Sequence, residues 1–142
     1  MPYDPMMVAP MREELARLGF HELRRPEDVD RELALPGRVL LVVNSVCGCA
    51  AGAARPGVAL SLKHREAPQR LATVFAGQDV EATARVRSYF GGKAPSSPQV
   101  AILEDGQLLF LLQRHEIEGR TPEQVAAALT AAYDRLSQKA TA

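Results

Sequence analysis

The chain has 142 residues, 46% of them hydrophobic, which is enough for one buried core and short for two domains. Its 17 basic and 17 acidic residues give a formal net charge of zero, which argues against nucleic acid or an anionic membrane as a partner. The N-terminal residues do not have the pattern of a secretion signal, and no apolar stretch approaches about 18 residues, so we expect a cytoplasmic protein without a membrane segment. We expect a single domain over residues 1–142, with loose ends at 1–4 and 138–142.

Predicted helices and strands alternate in the first part of the chain. Apolar residues at helical spacing predict an N-terminal helix that ends at Gly19, whose backbone freedom suits a helix end. A short strand is predicted over 20–23, and a second helix runs from Pro26 to near Pro36. The apolar run 39–43 then predicts a buried strand.

The alternation continues beyond this strand. The alanine-rich segment 50–63 predicts a helix that Pro56 and Gly57 should bend. Residues 71–75 predict a short buried strand, and Asp79 is placed to be the N-cap of a fourth helix. Strands separated by helices in this way favour a parallel sheet with right-handed crossovers.

A hairpin and a helix close the chain. The apolar runs 99–104 and 107–112 are joined by Asp105-Gly106, the two-residue signal of a type I′ turn between antiparallel strands. Thr121 begins a helix with a capping box and a proline at its first position. This order of elements predicts an α/β fold that resembles thioredoxin, with a mixed central sheet of about five strands flanked by helices and an extra N-terminal helix.

Segments that are distant in the sequence are predicted to meet at one edge of this sheet. The parallel strands place their carboxyl ends at a shared edge, where α/β proteins form their sites. The hairpin strands run in opposite directions, so Ser97-Pro98 before the first and residues 114–116 after the second arrive at this edge too. We therefore expect these segments to converge around Cys47.

The chain has only two cysteines, Cys47 and Cys49, and both directly follow the buried strand. The N-terminus of the next helix favours a thiolate over a thiol, which lowers a cysteine pKa from its usual value of about 8.5. With only Gly48 between them, the two can form a small and strained disulfide ring, which suits exchange better than structural support. Cys47 is therefore predicted to attack a disulfide sulfur as the nucleophile, and Cys49 to resolve the mixed disulfide.

The cysteine pair has two alternative interpretations. A pair of thiols can bind a metal, although only His21, His64 and His115 could complete the site. Buried, unreactive cysteines are also common. In a reducing cytosol a close cysteine pair is more often catalytic, redox-sensing or metal-binding than structural. Redox exchange is favoured because the sequence has no second cysteine cluster to complete a metal site, and because two unreactive cysteines that flank a glycine at a strand end are uncommon. No metal and no tightly bound cofactor are expected.

Two further features of the predicted edge bear on the chemistry. X-Pro bonds are the usual place for cis peptides, and a cis Ser97-Pro98 bond here would expose the backbone of Ser97 for pairing with an extended substrate. His115 could relay a proton or stabilise a thiolate, because imidazole titrates near neutral pH, or it could be a solvated loop residue. Arg55 and Arg114 could attract an anionic thiol, although most charged residues simply face solvent.

Several stretches of the sequence form a recognisable pattern. They are Val43 to Gly52 with Ala54 to Pro56, Thr73 to Asp79, Ala94 to Pro98, Arg114 to Gly119, and the end of the N-terminal helix from Glu14 to Phe20. Together they are similar to the bacilliredoxins. The resemblance covers nearly the whole chain and includes the Cys-x-Cys motif. It implies a thioredoxin-like enzyme that removes bacillithiol, a low-molecular-weight thiol, from protein mixed disulfides. Cys47 would take the thiol onto itself and Cys49 would assist its release.

This resemblance also implies bacillithiol as a thiol co-substrate, and bacillithiolated or disulfide-containing proteins as partners. The candidate substrate-binding residues are Asn44, Gly48, Ser97, Pro98 and His115. General protein disulfide isomerase or reductase activity is the nearest alternative, and a Cys-x-Cys metal-binding module is a further one. The apolar run Leu108 to Leu112 could be buried under helices or, as an edge strand of the sheet, could support a homodimer.

Overall fold

The structure is a computed structural model that describes the backbone of residues 2–141 and the side chains of residues 2–138. Its strands are β1 (His21–Glu22), β2 (Arg38–Asn44), β3 (Arg70–Phe75), β4 (Gln99–Glu104) and β5 (Gln107–Leu112). Its helices are α1 (Pro5–Ala16), α2 (Pro26–Leu33), α3 (Arg55–Ser61), α4 (Val80–Ser88), α5 (Arg114–Ile117) and α6 (Pro122–Thr141). Among the residues described, no helix is both long enough and apolar enough to span a bilayer.

The strands form one mixed sheet of five strands in the order β1-β3-β2-β4-β5. β3 lies parallel between β1 and β2, with Ala72 opposite both His21 and Leu41. β4 is antiparallel to β2, pairing Gln99 with Val43, and β5 is antiparallel to β4. The predicted fold class, a thioredoxin-like mixed sheet preceded by an extra helix, is confirmed.

Side chains of the sheet alternate between two cores, one on each face. In β2, Leu40 and Val42 pack with residues of α1, α3 and α6. Leu41 and Val43 pack on the other face with residues of α2 and α4. All of these side chains are fully buried. Because helices cover both faces, the ends of the strands are the surfaces at which loops can form a site.

The turns and caps follow the sequence in part. The β4–β5 turn has positive φ at Asp105 (51°) and Gly106 (78°), as a type I′ turn requires. Thr121 forms the predicted capping box, since its hydroxyl accepts from the Gln124 N–H over 3.1 Å and the Gln124 side chain accepts from the Thr121 N–H over 2.9 Å. These local signals were sufficient because both partners lie within a few residues of each other.

The prediction that Asp79 caps α4 is wrong for its side chain. Asp79 does precede the helix, but its carboxylate makes no capping hydrogen bond. It accepts instead from the Phe75 N–H over 3.2 Å and from the Arg12 guanidinium. The Asp79 carboxylate therefore binds the Arg12 guanidinium of α1, and it does not cap the helix.

The helix after the cysteines is irregular, and the irregular turn lies directly before Pro56 and Gly57, where the sequence predicts a bend. Ala50–Ala54 form a π-helical turn that leads directly into α3. Pro56 is the second residue of α3 and directly follows this widened turn. Residues 114–117 form the short helix α5, which the sequence did not predict.

Both ends of the chain have regular contacts or helical backbone among the described residues. The Tyr3 N–H donates to Gln78 Oε1 over 2.7 Å, and the Asp4 side chain accepts from the Met6 N–H over 2.9 Å at the start of α1. α6 continues to Thr141. Met1 and Ala142, which belong to the predicted loose ends, lie outside the described residues.

Candidate active site

Cys47 and Cys49 lie where β2 ends and a helical segment begins. A short bend follows β2, and Gly48 and Cys49 already have helical backbone ahead of the π turn. Both cysteines are free thiols, and both are partly exposed. The Cys49 N–H donates a hydrogen bond to Cys47 Sγ over 3.4 Å. Cys47 is thus an accessible sulfur with a backbone donor directed at it and a second thiol beside it.

The surroundings shift the pKa values of the two thiols in opposite directions. Hydrogen bonding from the Cys49 thiol is the largest cause that lowers the pKa of Cys47, against an opposing effect of partial burial. The N–H groups of Cys49 and Ala50 and the charge of Arg114 lower it further. Burial, followed by the nearby Cys47 sulfur, raises the pKa of Cys49 to about 11. Cys47 therefore ionises before Cys49 as the pH rises.

The Ser97-Pro98 peptide bond is cis and lies at the same edge of the sheet as the cysteines. β4 begins directly after it, and Gln99 pairs with Val43 at the end of β2 that leads to the cysteine loop. Pro98 is buried and Ser97 is half-buried. The structure therefore brings together the two loops that the topology predicted to converge.

Polar contacts join the loop before β4 to the segment that follows β5. Ser96 Oγ donates to Gln113 Oε1 over 2.8 Å and accepts from the Arg114 N–H over 3.3 Å. Gln99, which is fully buried, also donates to Gln113 Oε1, over 3.0 Å. Arg87 donates to the Ser96 carbonyl over 2.7 Å. These bonds fix the start of α5 beside the loop that contains the cis bond.

Of the two basic residues at the start of α5, Arg114 is the one whose charge acts on the thiols. It contributes to the lowering of the pKa of Cys47 and opposes the rise in the pKa of Cys49. Its guanidinium is paired with Glu118 over 3.0 Å and is 44% exposed. His115 is exposed on the same helix, and within the described residues it makes no hydrogen bond or ion pair with either thiol. Arg114 therefore provides electrostatic support of the kind considered for His115.

Asn44 and Gly48, both candidate substrate contacts, have different surroundings. Asn44 is 2% exposed, and its Nδ2 donates to the Met11 carbonyl over 3.1 Å. Its Oδ1 accepts from the Ser45 N–H and from Arg55, each over 2.9 Å. Asn44 therefore lies beneath the cysteine loop, whereas a substrate contact was expected. Gly48 is exposed, and a Cβ built on it would meet no atom within 4 Å, so the space above it is open to a substrate.

Two arginines near the site have roles that the sequence did not predict. Arg55 is buried beneath the cysteine loop. Arg12 on α1 binds Asp79 over 2.7 Å and Glu22 over 3.1 Å, which joins the segments that follow β3 and end β1. Their partners lie far away along the chain, so spacing gives no signal for them. The position of Arg55 within the stretch that resembles the family was the one available indication.

The histidines considered as metal ligands lie apart from one another. His21 contacts Glu32 over 3.2 Å, and His64 contacts Asp134 over 2.7 Å. In the part of the chain that the structure describes, no group of three or more His, Cys, Asp and Glu side chains is arranged to hold a metal ion. Within the described residues, the metal-binding alternative therefore has no third ligand of these types beside the cysteine pair.

Comparison with known proteins identifies the family. A family model described as disulphide isomerase matches residues 3–137. The chain is 49% identical over 134 residues to a bacilliredoxin of Cytophaga hutchinsonii, covering 94% of this chain and 99% of that protein. The chain belongs to the bacilliredoxin family. A bacilliredoxin of Geobacillus kaustophilus is 50% identical over 133 residues, covering 94% of this chain and 92% of the relative.

Solved structures extend the comparison beyond the bacilliredoxins. A thioredoxin-fold protein superimposes with a TM-score of 0.62 at 15% identity, covering 78% of this chain and 90% of its own. The oxidised thioredoxin of Plasmodium falciparum gives a TM-score of 0.53 at 12% identity, covering 82% of this chain and 97% of its own. At such identities the likeness shows the fold alone. With this fold and bacilliredoxin relatives at about half identity, the chain is a thiol-disulfide oxidoreductase.

Proposed function

We propose that the protein removes bacillithiol from protein mixed disulfides, with Cys47 as the nucleophile and Cys49 as the resolving thiol. One observation carries the assignment of roles: the surroundings lower the pKa of Cys47 and raise that of Cys49 to about 11. The name bacilliredoxin, which the relatives bear, supports bacillithiol as the thiol. The proposed partners are bacillithiolated proteins, and bacillithiol is the proposed co-substrate.

The first exchange transfers the thiol to the enzyme. The Cys47 thiolate attacks the bacillithiol sulfur of the mixed disulfide, and a new S–S bond forms between them. The bond to the client's sulfur breaks, and the client cysteine leaves as a thiolate that takes a proton from solvent. The client is reduced and Cys47 is oxidised, so no external electron donor is needed in this step.

The second exchange releases the thiol. Cys49 loses its proton to solvent and attacks Cys47 Sγ, which forms a Cys47–Cys49 disulfide and expels bacillithiol as a thiolate. Once Cys47 is part of a disulfide it carries no charge, so the part of the Cys49 pKa rise that comes from Cys47 disappears. Cys49 therefore becomes easier to ionise after the adduct has formed. Two molecules of a low-molecular-weight thiol then restore both cysteines and leave as their own disulfide.

The open space above Gly48 is the proposed approach for the client. Ser97 and Pro98 border the same edge, and they remain proposed substrate contacts together with the exposed His115. The buried Asn44 is proposed to support the loop.

The test uses a small protein with one exposed cysteine that has been loaded with bacillithiol. Adduct removal is followed by intact mass spectrometry with wild-type enzyme, Cys47→Ala and Cys49→Ala. We expect Cys49→Ala to remove the adduct and to retain one bacillithiol on Cys47, and Cys47→Ala to leave the client unchanged. Removal at the wild-type rate by Cys47→Ala would contradict the assignment. The same client loaded with glutathione is the matched substrate, and equal rates on both would contradict a preference for bacillithiol.

Disulfide isomerisation is the second candidate, and the description of the matching family model favours it. An isomerase must stay bound to its client long enough for a second client thiol to attack. With Cys49 beside it, Cys47 has a competing route that ends the exchange early. Recovery of native activity from a protein with scrambled disulfides measures this function. A faster recovery with the wild-type enzyme than with Cys49→Ala would favour isomerisation.

A further inference from the structure

We propose that Arg55 is a positioning residue for Cys47, and that it acts by holding the segment Asn44-Ser45 against helix α1. The proposal rests on the role of Cys47 as the nucleophile given above. It adds the residue that keeps the loop of that nucleophile in place.

Arg55 joins separate parts of the fold through one buried guanidinium. Its side chain is 4% exposed. Nη1 donates to Asn44 Oδ1 over 2.9 Å and to the Ser45 carbonyl over 3.0 Å. Nε donates to Glu14 Oε2 on α1. The start of α3, the segment that follows β2 and the N-terminal helix are thus connected at one side chain.

The connection continues from Ser45 to the nucleophile. The Ser45 N–H donates to Asn44 Oδ1 over 2.9 Å, and Ser45 Oγ accepts from the Cys47 N–H over 3.0 Å. Ser45 is buried, so few alternative partners are available to its carbonyl or its hydroxyl. Arg55 therefore fixes Ser45, and Ser45 fixes the backbone of Cys47. The Cys49 N–H that points at Cys47 Sγ depends on this backbone position.

The π turn explains how Arg55 reaches this place. The backbone N–H of Arg55 donates to the Ala50 carbonyl, five residues earlier, and this bond closes the widened turn Ala50–Ala54. The extra residue in such a turn rotates the residues that follow by about 100° relative to a regular α-helix. The small buried side chains of Ala53 and Ala54 allow the turn to lie close to the sheet. The π turn therefore directs the Arg55 side chain beneath the cysteine loop, which precedes this turn in the chain.

A purely structural role explains these contacts less well. Burying a guanidinium carries a large desolvation cost, and an apolar side chain of similar size often serves stability as well or better. The planar group with its several donors is suited to holding a carboxylate and two oxygens of the loop at once. The bonds to Asn44 and Ser45 are directed to the segment that leads to the nucleophile. Loss of the Arg55 guanidinium should therefore disturb this segment.

The experiment measures the reactivity of Cys47 in the full-length protein without bacillithiol. Alkylation by iodoacetamide is followed at the Cys47 peptide by mass spectrometry across a pH series. For Arg55→Met we expect the pH midpoint of Cys47 to rise by about one unit, which is about tenfold less thiolate at neutral pH. Arg55→Lys keeps the charge but lacks the fork of donors, so it should not restore the midpoint. Glu14→Gln leaves the loop bonds in place and should shift the midpoint less, in the same direction.

Arg38→Met is the matched control. Arg38 also binds a carboxylate and a backbone carbonyl, those of Glu104 over 3.0 Å and Leu136 over 2.9 Å. It lies at the opposite end of β2, about 20 Å along the strand from Asn44. This variant should lower the melting temperature and leave the pH midpoint of Cys47 unchanged.

Three outcomes would overturn the proposal. They are a wild-type midpoint in folded Arg55→Met, a wild-type midpoint in Arg55→Lys, and a shift in Arg38→Met as large as that in Arg55→Met at equal loss of melting temperature. If Arg55→Met does not fold, Arg55→Lys and Glu14→Gln decide, and wild-type midpoints in both would overturn it. Failure to act on bacillithiolated clients, with these shifts present, would contradict the proposed substrate and still support the positioning role.

Discussion

Cys47 and Cys49 share a hydrogen bond and a nearby cation, yet the protein moves their pKa values in opposite directions. Burial is the largest cause of the rise at Cys49. The hydrogen bond adds to the difference, because Cys49 is the donor and Cys47 the acceptor, and a negative charge on one sulfur opposes a negative charge on the other. Two thiols coupled in this way titrate in two separate steps that belong to the pair. Over a wide pH range the site therefore holds one thiolate and one thiol.

The first prediction concerns the pH dependence of alkylation at each cysteine. Cys47 should reach half its maximal rate at a lower pH than an unperturbed thiol, and Cys49 should do so near pH 11. In Cys47→Ala the Cys49 midpoint should move down, because the hydrogen bond and charge of Cys47 are lost while burial remains. Peptide mass spectrometry after iodoacetamide labelling measures both midpoints. A Cys49 midpoint that stays near its wild-type value in Cys47→Ala would show that burial alone sets it.

A second prediction at this scale concerns Arg114. Removing its charge in Arg114→Gln should raise the pKa of both thiols and slow alkylation of Cys47 at neutral pH by up to about fivefold, because the group is exposed and its charge is screened. High salt should reduce the difference between wild type and variant. Arg120→Gln, which changes an exposed arginine just beyond α5, is the control and should leave the rate unchanged. Equal slowing in both variants would contradict a specific role for Arg114.

Among the structural elements, α3 and α6 pack most closely at Gly57. A Cβ at this position would lie 2.6 Å from side-chain atoms of Val125 and 3.0 Å from the Pro122 carbonyl oxygen. Gly57→Ala should therefore lower the free energy of unfolding by about 1–3 kcal/mol. Gly52→Ala places the same methyl group where nothing lies within 4 Å, so its stability should stay within about 1 kcal/mol of wild type. Urea denaturation compares the two, and similar losses in both would show that close packing at Gly57 is not the cause.

Elements that depend on local signals were predictable from the sequence. The apolar run of β2 and the Asp105-Gly106 turn need only their own residues, and the order of the elements was enough to place Ser97-Pro98 at the edge with the cysteines. α5 has only four residues, which is too short to give a helical period. The π turn is built largely of alanine, whose side chain fits an α-helix equally well, so no residue in it marks the change.

The parts of the site that could not be predicted depend on partners far apart in the sequence. Arg55 binds Glu14, which lies 41 residues earlier, and Arg12 binds Asp79, which lies 67 residues later. A charged residue within an alanine-rich helix usually faces solvent, so burial of Arg55 follows only from the three-dimensional fold. The same is true of Asn44, whose place in the family motif suggested a substrate contact.

For the whole molecule, ionisation of the thiols is linked to stability. The lowered pKa of Cys47 favours the folded state at and above the unfolded value of about 8.5, and this contribution is lost as the pH falls through the folded pKa. The raised pKa of Cys49 acts in the opposite sense. Its contribution is present below the unfolded value and is lost as the pH rises toward about 11.

The disulfide form has neither thiol, so the difference in unfolding free energy between the reduced and oxidised proteins isolates these two effects. We expect this difference to increase in favour of the reduced protein up to a pH of about 8.5, and then to decrease toward pH 11. Urea denaturation at a series of pH values, with and without reductant, measures it. When the unfolding free energy of Cys47→Ala is compared with that of the oxidised wild-type protein, the increase up to a pH of about 8.5 should be absent. A difference that does not vary with pH would contradict the linkage.

Helix α1 contacts the end of the sheet at which the cysteines lie. Its Met11 carbonyl accepts from Asn44, its Glu14 accepts from Arg55, and its Arg12 donates to Asp79. The other end of the chain approaches the opposite edge, where the Leu136 carbonyl accepts from Arg38 at the start of β2. The two termini are therefore not equivalent sites for attaching an affinity tag, a fluorophore or a fused partner. An addition before α1 would be joined to the helix that holds the cysteine loop, whereas an addition after α6 would be joined to the helix that contacts the other end of β2. Assays of this enzyme should accordingly use protein modified at its C-terminus.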